Sequence, residues 1–266
     1  MKEKLLIMSE YCHSFWDYRD LLKLLVVRDV KLKYRRSFLG YVWSVLNPLM
    51  VMVIMHIVFS TMFRDNIVNF PVYLFCGQLM FNFMNISTNE AIVSITANAP
   101  LLKKTYVPKY VFTLAKITSG LVDFVFSLGA LLIVLIVTRS RITWYILMMP
   151  LPILQLFIFC VGLGMFLAQA NVFFRDIRYI YSALTVAWMY MTPIFYPIER
   201  LSEVLRWCIT HLNPMYFYVT QFRDAVWMGQ MPSTYNVVGG WLAALLMLGL
   251  GIWSFMKTKD RFILYI

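Results

Sequence analysis

The sequence predicts an all-α integral membrane protein: six transmembrane helices, an N-terminal cytoplasmic interface helix, and short re-entrant extracellular helices between spans five and six. Two observations carry that class. Hydrophobic residues make up 61% of the 266 residues and charged residues 14%, against roughly 45–50% and about 25% in ordinary globular domains. With a mean hydropathy of +0.70, too little polar surface exists to keep a compact chain of this size in water. The apolar residues are also gathered into six runs, each near or above the roughly 20 residues that cross a hydrocarbon core of about 30 Å as a helix.

In chain order, residues 1–40 form a cytoplasmic segment in which Trp16, Leu21, Leu22, Leu25 and Val26 mix with regularly spaced charges, as in a helix lying on the membrane surface. Residues 41–256 form the transmembrane domain, with runs at Tyr41–Phe63, Val72–Ile95, Val107–Val137, Trp144–Val172, Ile180–Tyr196 and Val237–Met256. The third and fourth exceed one crossing, which predicts tilt or extension beyond the bilayer. The fifth is short, and Pro193 and Pro197 should break it. Between the last two runs, Leu201, Val204, Leu205, Cys208, Ile209 and Leu212 recur at helical spacing. Asn213-Pro214 interrupts them and a second apolar segment reaches Gly229, so a helix pair over about 198–230 is expected to dip into the outer leaflet. Residues 257–266 form a cytoplasmic tail.

Orientation follows from Lys and Arg. With the N-terminus inside, eighteen basic residues flank the inner ends of the runs and six the outer ends, which places both termini in the cytoplasm. The net charge of +11 therefore reflects topology, and no nucleic-acid partner is expected. The four cysteines and three histidines are scattered, so neither a disulfide framework nor a metal site is predicted. The N-terminus has no continuous apolar core and no small-residue cleavage site, so no cleaved signal peptide is expected. No G-x-x-x-x-G-K-[ST] loop is present to cradle ATP phosphates, and no hydrolase or transferase motif marks an active site. Uphill transport would draw on an ion gradient or another subunit.

Polar residues inside the runs carry the rest. Gln78, Asn82, Asn85 and Asn89 share one face of the second run. Two readings stand: a channel wall exchanging hydrogen bonds with a polar cargo such as sugar hydroxyls, or hydrogen bonding between helices. Tyr181, Thr185, Trp188 and Thr192 share a face of the fifth run, and rings beside hydroxyls suit a passing sugar as well as ordinary packing. Lys116 and Asp123 lie about 10 Å apart along one helix, too far for a direct pair, so each is expected to pair with another helix.

Residues 28–43, RDVKLKYRRSFLGYVW, followed by Asn47-Pro48-Leu49, resemble the opening of the membrane subunit of ABC-2-type exporters of polysaccharides, O-antigens and teichoic acids. Phe174-Arg175-Asp176-Ile177, the run Thr192-Pro193-Ile194-Phe195-Tyr196-Pro197, Asn213-Pro214 and Phe222-Arg223-Asp224 with Gly229 fit the same family. The resemblance implies a homodimer bound to two copies of a separate ABC ATPase subunit. ATP and Mg would sit on that subunit, with no cofactor and no catalytic residue on this chain. The dimer would form a channel for a glycan carried on a polyprenyl diphosphate lipid, in the inner membrane of a bacterium.

By position, Arg28, Pro100, Lys103, Lys104, Arg175 and Asp176 are expected to touch the ATPase subunit. Lys33, Arg35 and Arg36, with Tyr34 and Trp43 packing beside them, are expected to receive the anionic lipid head group, since an Arg fork binds phosphate oxygens bidentately. Gln78, Asn82, Asn85, Asn89, Tyr181, Thr185, Trp188 and Thr192 would then line the glycan path. An ABC-2 exporter of a lipid or drug shares this architecture and is the alternative. A membrane-embedded transferase would need a carboxylate or His constellation, and an ion-coupled carrier more intramembrane charge and repeated halves.

Overall fold

The computed structural model describes residues 18–35, 40–63, 67–105, 107–258 and 262. Every regular element among them is helical. Helix α1, Arg19–Tyr34, leads through a tight turn at Gly40–Val42 into α2, Trp43–Phe63. Gly40 takes φ of +47°, a left-handed conformation that costs glycine nothing and any other residue something. Helix α3, Phe70–Ile92, is followed by two single-turn helices, α4 (Ser94–Ala97) and α5 (Ala99–Leu102). Helix α6 is Tyr110–Val137, and α7, Pro150–Phe173, follows a short turn over Trp144–Met148. Helix α8, Ile177–Met191, precedes a short pair, α9 (Glu203–Leu212) and α10 (Pro214–Arg223). A π turn over Asp224–Met228 leads towards α11, Thr234–Thr258.

Four helical segments are long and apolar enough to cross a membrane: Gly40–Phe59, Tyr110–Val137, Trp144–Phe173 and Thr234–Thr258. The second and fifth expected spans appear as α3, which carries the amide face, and α8, which at 15 residues is about 22 Å long. Helix α8 stops at Met191 and the chain is extended at Thr192, where Pro193 removes the next amide donor.

Burial separates the helices. In α3 most residues are buried, with Val72, Leu74, Phe75, Cys76, Met80 and Met84 fully inaccessible. Helix α3 therefore forms the centre of the bundle, against α6, α7 and α10. By contrast α2 shows Met50, Val53, Ile54, Ile57 and Val58 to the outside, and α8 shows Tyr179, Ile180, Leu184, Val186 and Tyr190. Such apolar surfaces need lipid or another apolar partner.

The closest crossing joins α7 to α11. A Cβ added at Gly162 would overlap the backbone of Met247 and Leu248, and one at Gly251 would overlap Gly162 itself. Without a hydrophobic drive between helices in lipid, this backbone approach supplies packing that larger residues would forbid.

Candidate translocation and coupling surfaces

The base of the molecule is organised by charge. The apolar side of α1, with Leu25 buried and Leu21, Leu22 and Val26 partly so, packs on Val111, Phe112 and Ala115 of α6. Ion pairs set the register. Lys116 Nζ lies 3.1 Å from Asp29 Oδ2 and 3.3 Å from Glu90 Oε2, while Lys33 Nζ lies 2.6 Å from Asp123 Oδ2. The later residue of α1 meets the later residue of α6, so the two helices run in the same direction. Lys116 and Asp123 each pair with another helix, as their spacing requires. Counting back about 20 residues from Val137 starts the apolar crossing of α6 near Thr118. The Lys33–Asp123 pair then sits about 8 Å inside that boundary, where an unpaired charge would be expensive.

This geometry bears on the residues assigned above to a lipid head group. Lys33 is engaged with Asp123, Arg35 is exposed, and Trp43 is 41% exposed at the start of α2. Arg36 and the Tyr34 side chain lie outside the described residues. Of the expected ATPase contacts, Arg28 donates twice to Asp29, at 3.1 and 3.0 Å. Pro100, Lys103 and Lys104 are exposed on and just after α5. A hydroxyl contact between Ser94 and Thr113, 2.9 Å, fastens this foot to α6. Arg175 lines a cavity, and Asp176 is exposed at the start of α8.

The polar faces of α3 and α8 meet in part. Thr88 of α3 and Tyr181 of α8 share a hydroxyl hydrogen bond of 2.8 Å. Thr185 is buried and bonds back to the Tyr181 carbonyl, 3.0 Å. Higher up, Trp188 Nε1 donates to Asn213 Oδ1, 2.8 Å, and Asn213 Nδ2 donates to Thr192 Oγ1, 3.1 Å. In a single chain Tyr181, Trp188 and Thr192 therefore stitch α8 to its neighbours, while Thr185 bonds only within α8. The α3 amides divide. Asn82, Asn85 and Asn89 are partly exposed, and Asn89 Nδ2 donates to Asn85 Oδ1, 2.7 Å. Gln78 is buried, and neither of its amide atoms has a hydrogen-bond partner.

The end opposite the charged base holds what sequence reasoning missed. Arg223, 6% exposed, donates to the carbonyls of Tyr73 (3.1 Å), Pro193 (2.6 Å) and Ile194 (3.0 Å), and its guanidinium lies 3.5 Å from the centre of the Tyr73 ring. Tyr73 Oη adds a bond to the Tyr196 carbonyl, 2.9 Å. The carbonyls freed where α8 breaks are thus bonded by one arginine and one tyrosine. The Phe222-Arg223-Asp224 motif was the signal; its target was not readable. Asn213 caps α10 by accepting from Met215 N, 3.0 Å, while holding the end of α8. Burial pushes the neighbouring Asp224 carboxyl above the usual range, partly offset by a hydrogen bond from Gln230.

Among the described residues no group of His, Cys, Asp and Glu can hold a metal ion. These features define a multi-span membrane protein with a charged base, helical feet on its loops and a buried polar seam. Residues 20–227 match the ABC-2 type transporter family. The chain belongs to that family. It is 32% identical over 227 residues to an O-antigen export system permease protein of Myxococcus xanthus, covering 85% of this chain and 87% of the relative. It is 29% identical over 245 residues to an O-antigen export system permease protein of Klebsiella pneumoniae, covering 91% and 93%. A capsule polysaccharide export inner-membrane protein of Neisseria meningitidis serogroup A is 25% identical over 242 residues, covering 89% of each chain.

Proposed function

We propose that this chain is the transmembrane subunit of an ATP-driven exporter. It would move a polyprenyl-diphosphate-linked cell-surface polysaccharide across the cytoplasmic membrane through a channel formed by its homodimer. Family membership together with near full-length similarity to polysaccharide-export permeases carries the reading. The missing phosphate-binding loop supports a separate ATPase subunit, two copies of which would hold ATP and Mg. The reading has six spans with both termini inside, which α3 and α8 beside the four long apolar segments, together with the basic flanks, support. Helices α9 and α10, about 15 Å each, are too short to cross and would dip into the outer leaflet.

In the assembly, the exposed apolar sides of α2 and α8 would meet the second copy or lipid, and the partly exposed Asn82, Asn85 and Asn89 would face the glycan. Pro100, Lys103, Lys104 and Arg28 would receive the ATPase stroke, which the α1–α6 ion pairs would pass into the bilayer. Native mass spectrometry of the protein co-expressed with its ATPase tests this. A two-plus-two assembly carrying a polyprenyl-diphosphate glycan is expected. The same assembly holding a simple lipid would leave an exporter of another cargo, and a lone chain with no ATPase would overturn the reading.

A further inference from the structure

The foot of the α3–α8 seam holds two exposed arginines, Arg175 and Arg178. Arg178 lies in the first turn of α8 and Arg175 three residues before it. Among the described residues neither side chain has an ion-pair partner or a hydrogen bond, although every basic residue of the α1–α6 ion-pair cluster does. Their surroundings are concave. Arg178 lines a cavity of about 400 Å³ with Asn89, Glu90, Tyr179 and Ser182. Both arginines line an adjoining cavity of about 440 Å³ that shares Val93 and Tyr179 with the first. Each lies within the about 300–1,000 Å³ of small-molecule sites. Among the described lining residues the one acid, Glu90, is paired with Lys116 at 3.3 Å, and two arginine side chains border this space. The first amides of the 15-residue α8 add to the same field.

The flanks specify the kind of anion. Phe174 is 70% exposed, Tyr179 73% and Ile180 55%, so apolar surface borders the arginines on both sides. A charged group here would have room for an acyl or prenyl tail beside it. Above the arginines, the Asn89–Asn85 amide pair climbs α3 towards Asn82 and offers hydrogen bonds to hydroxyls. Arginine forks match phosphate oxygens.

We propose that Arg178 and Arg175 bind the phosphate-ester head of an amphiphile at the foot of this seam. The two sources of such a head are a lipid-linked diphosphate and an anionic phospholipid. Assignment to the diphosphate rests on the export reading above; the phosphate site itself does not. It also differs from the ATPase contact expected for Arg175, because here the arginines face cavities beside the amide face.

The test uses the full complex with its ATPase in phosphatidylcholine nanodiscs, titrated with undecaprenyl diphosphate or phosphatidylglycerol and read by native mass spectrometry. Arg178→Gln should weaken diphosphate binding about tenfold and the Arg175→Gln/Arg178→Gln double variant about 100-fold, as loss of charged hydrogen bonds predicts. Arg178→Lys should fall between, since it keeps charge but not the fork. Arg141→Gln/Arg206→Gln, which removes equal charge at the opposite end, should bind like wild type. Phosphatidylglycerol displacing the probe at equal mole fraction would keep the phosphate site and assign it to bilayer lipid. Unchanged diphosphate binding in the double variant overturns the site and leaves the export reading intact. Loss of the ATPase from that variant also overturns it, by making the arginines a subunit contact. A wild-type complex that ignores the diphosphate, yet binds phosphatidylglycerol through Arg178, would sink the export reading and spare the site.

Discussion

Replacing Arg223 by Met removes three hydrogen bonds at once and leaves the carbonyls of Tyr73, Pro193 and Ile194 facing an apolar interior. An orphaned buried acceptor costs about 1–3 kcal/mol. Three would therefore cost about 3–9 kcal/mol. Two effects reduce the sum. Tyr73 Oη lies 3.3 Å from the Pro193 carbonyl, so its one proton, shared with the Tyr196 carbonyl, leaves that oxygen a partial donor. Methionine also avoids burying a charge, a penalty of several kcal/mol that the native protein carries. A net loss of about 3–5 kcal/mol follows, in line with breaking a buried charged contact. Arg223→Lys should recover a minority of it, because an ammonium cannot serve three carbonyls spread across two segments with one planar fork. SDS unfolding in mixed micelles measures the difference. Limited proteolysis between Met191 and Glu199 should show the break of α8 opening first. A loss under about 1 kcal/mol for Arg223→Met would refute the argument that this arginine holds the broken end of α8.

Four further outcomes are expected. Gly251→Ala forces a methyl into the backbone of Gly162 and should cost about 1–3 kcal/mol in the same unfolding assay; a neutral result would mean that α7 and α11 separate freely. Lys33→Asp and Asp123→Lys should each loosen α1, and the double exchange should restore it, with a coupling of about 1 kcal/mol measured by a double-mutant cycle. Gln78→Met should raise stability by about 1–2 kcal/mol, because both amide atoms are buried without partners, and a fall would reveal a bond partner; export assayed in parallel reports whether that amide serves the cargo. Burial raises the folded-state pKa of Asp224, so the native state prefers the protonated acid. That contribution to stability is full at low pH and is lost as pH rises through the folded pKa. Asp224→Asn should accordingly exceed wild type in thermal stability at pH 8 and lose its lead on acidification; a pH-independent difference would disprove the linkage.

How much was legible in advance differs by element, and the physical reason is the same throughout. Periodicity and proline chemistry act within a few residues, so the helical stretches, the stop at Thr192-Pro193 and the interruption at Asn213-Pro214 could be read directly. The Lys116 and Asp123 spacing also announced partners on other helices, since neither charge could reach the other. Which partners was not readable. Asp29 and Lys33 lie about 90 residues from their counterparts, and no local pattern says that α1 runs alongside α6. The face of Tyr181, Thr185, Trp188 and Thr192 is equally suited to sugar or to packing, and only the folded chain shows Tyr181 bonded to Thr88, and Trp188 and Thr192 to Asn213.

The sequence by itself determined the solvent, because composition decides whether a chain belongs in water or lipid. It also determined the family, carried by short motifs spread from α1 to the end of α10. Tertiary structure decided what each polar group does. Arg223 reads as one more outer basic residue until α8 breaks beside it, and Lys33 as a ligand for a lipid head group until Asp123 is found 2.6 Å away. Arg178 reads as a topology signal until two cavities open at its side. In a low-dielectric interior the role of a charge is set by what stands within a few ångströms, and that is a property of the fold.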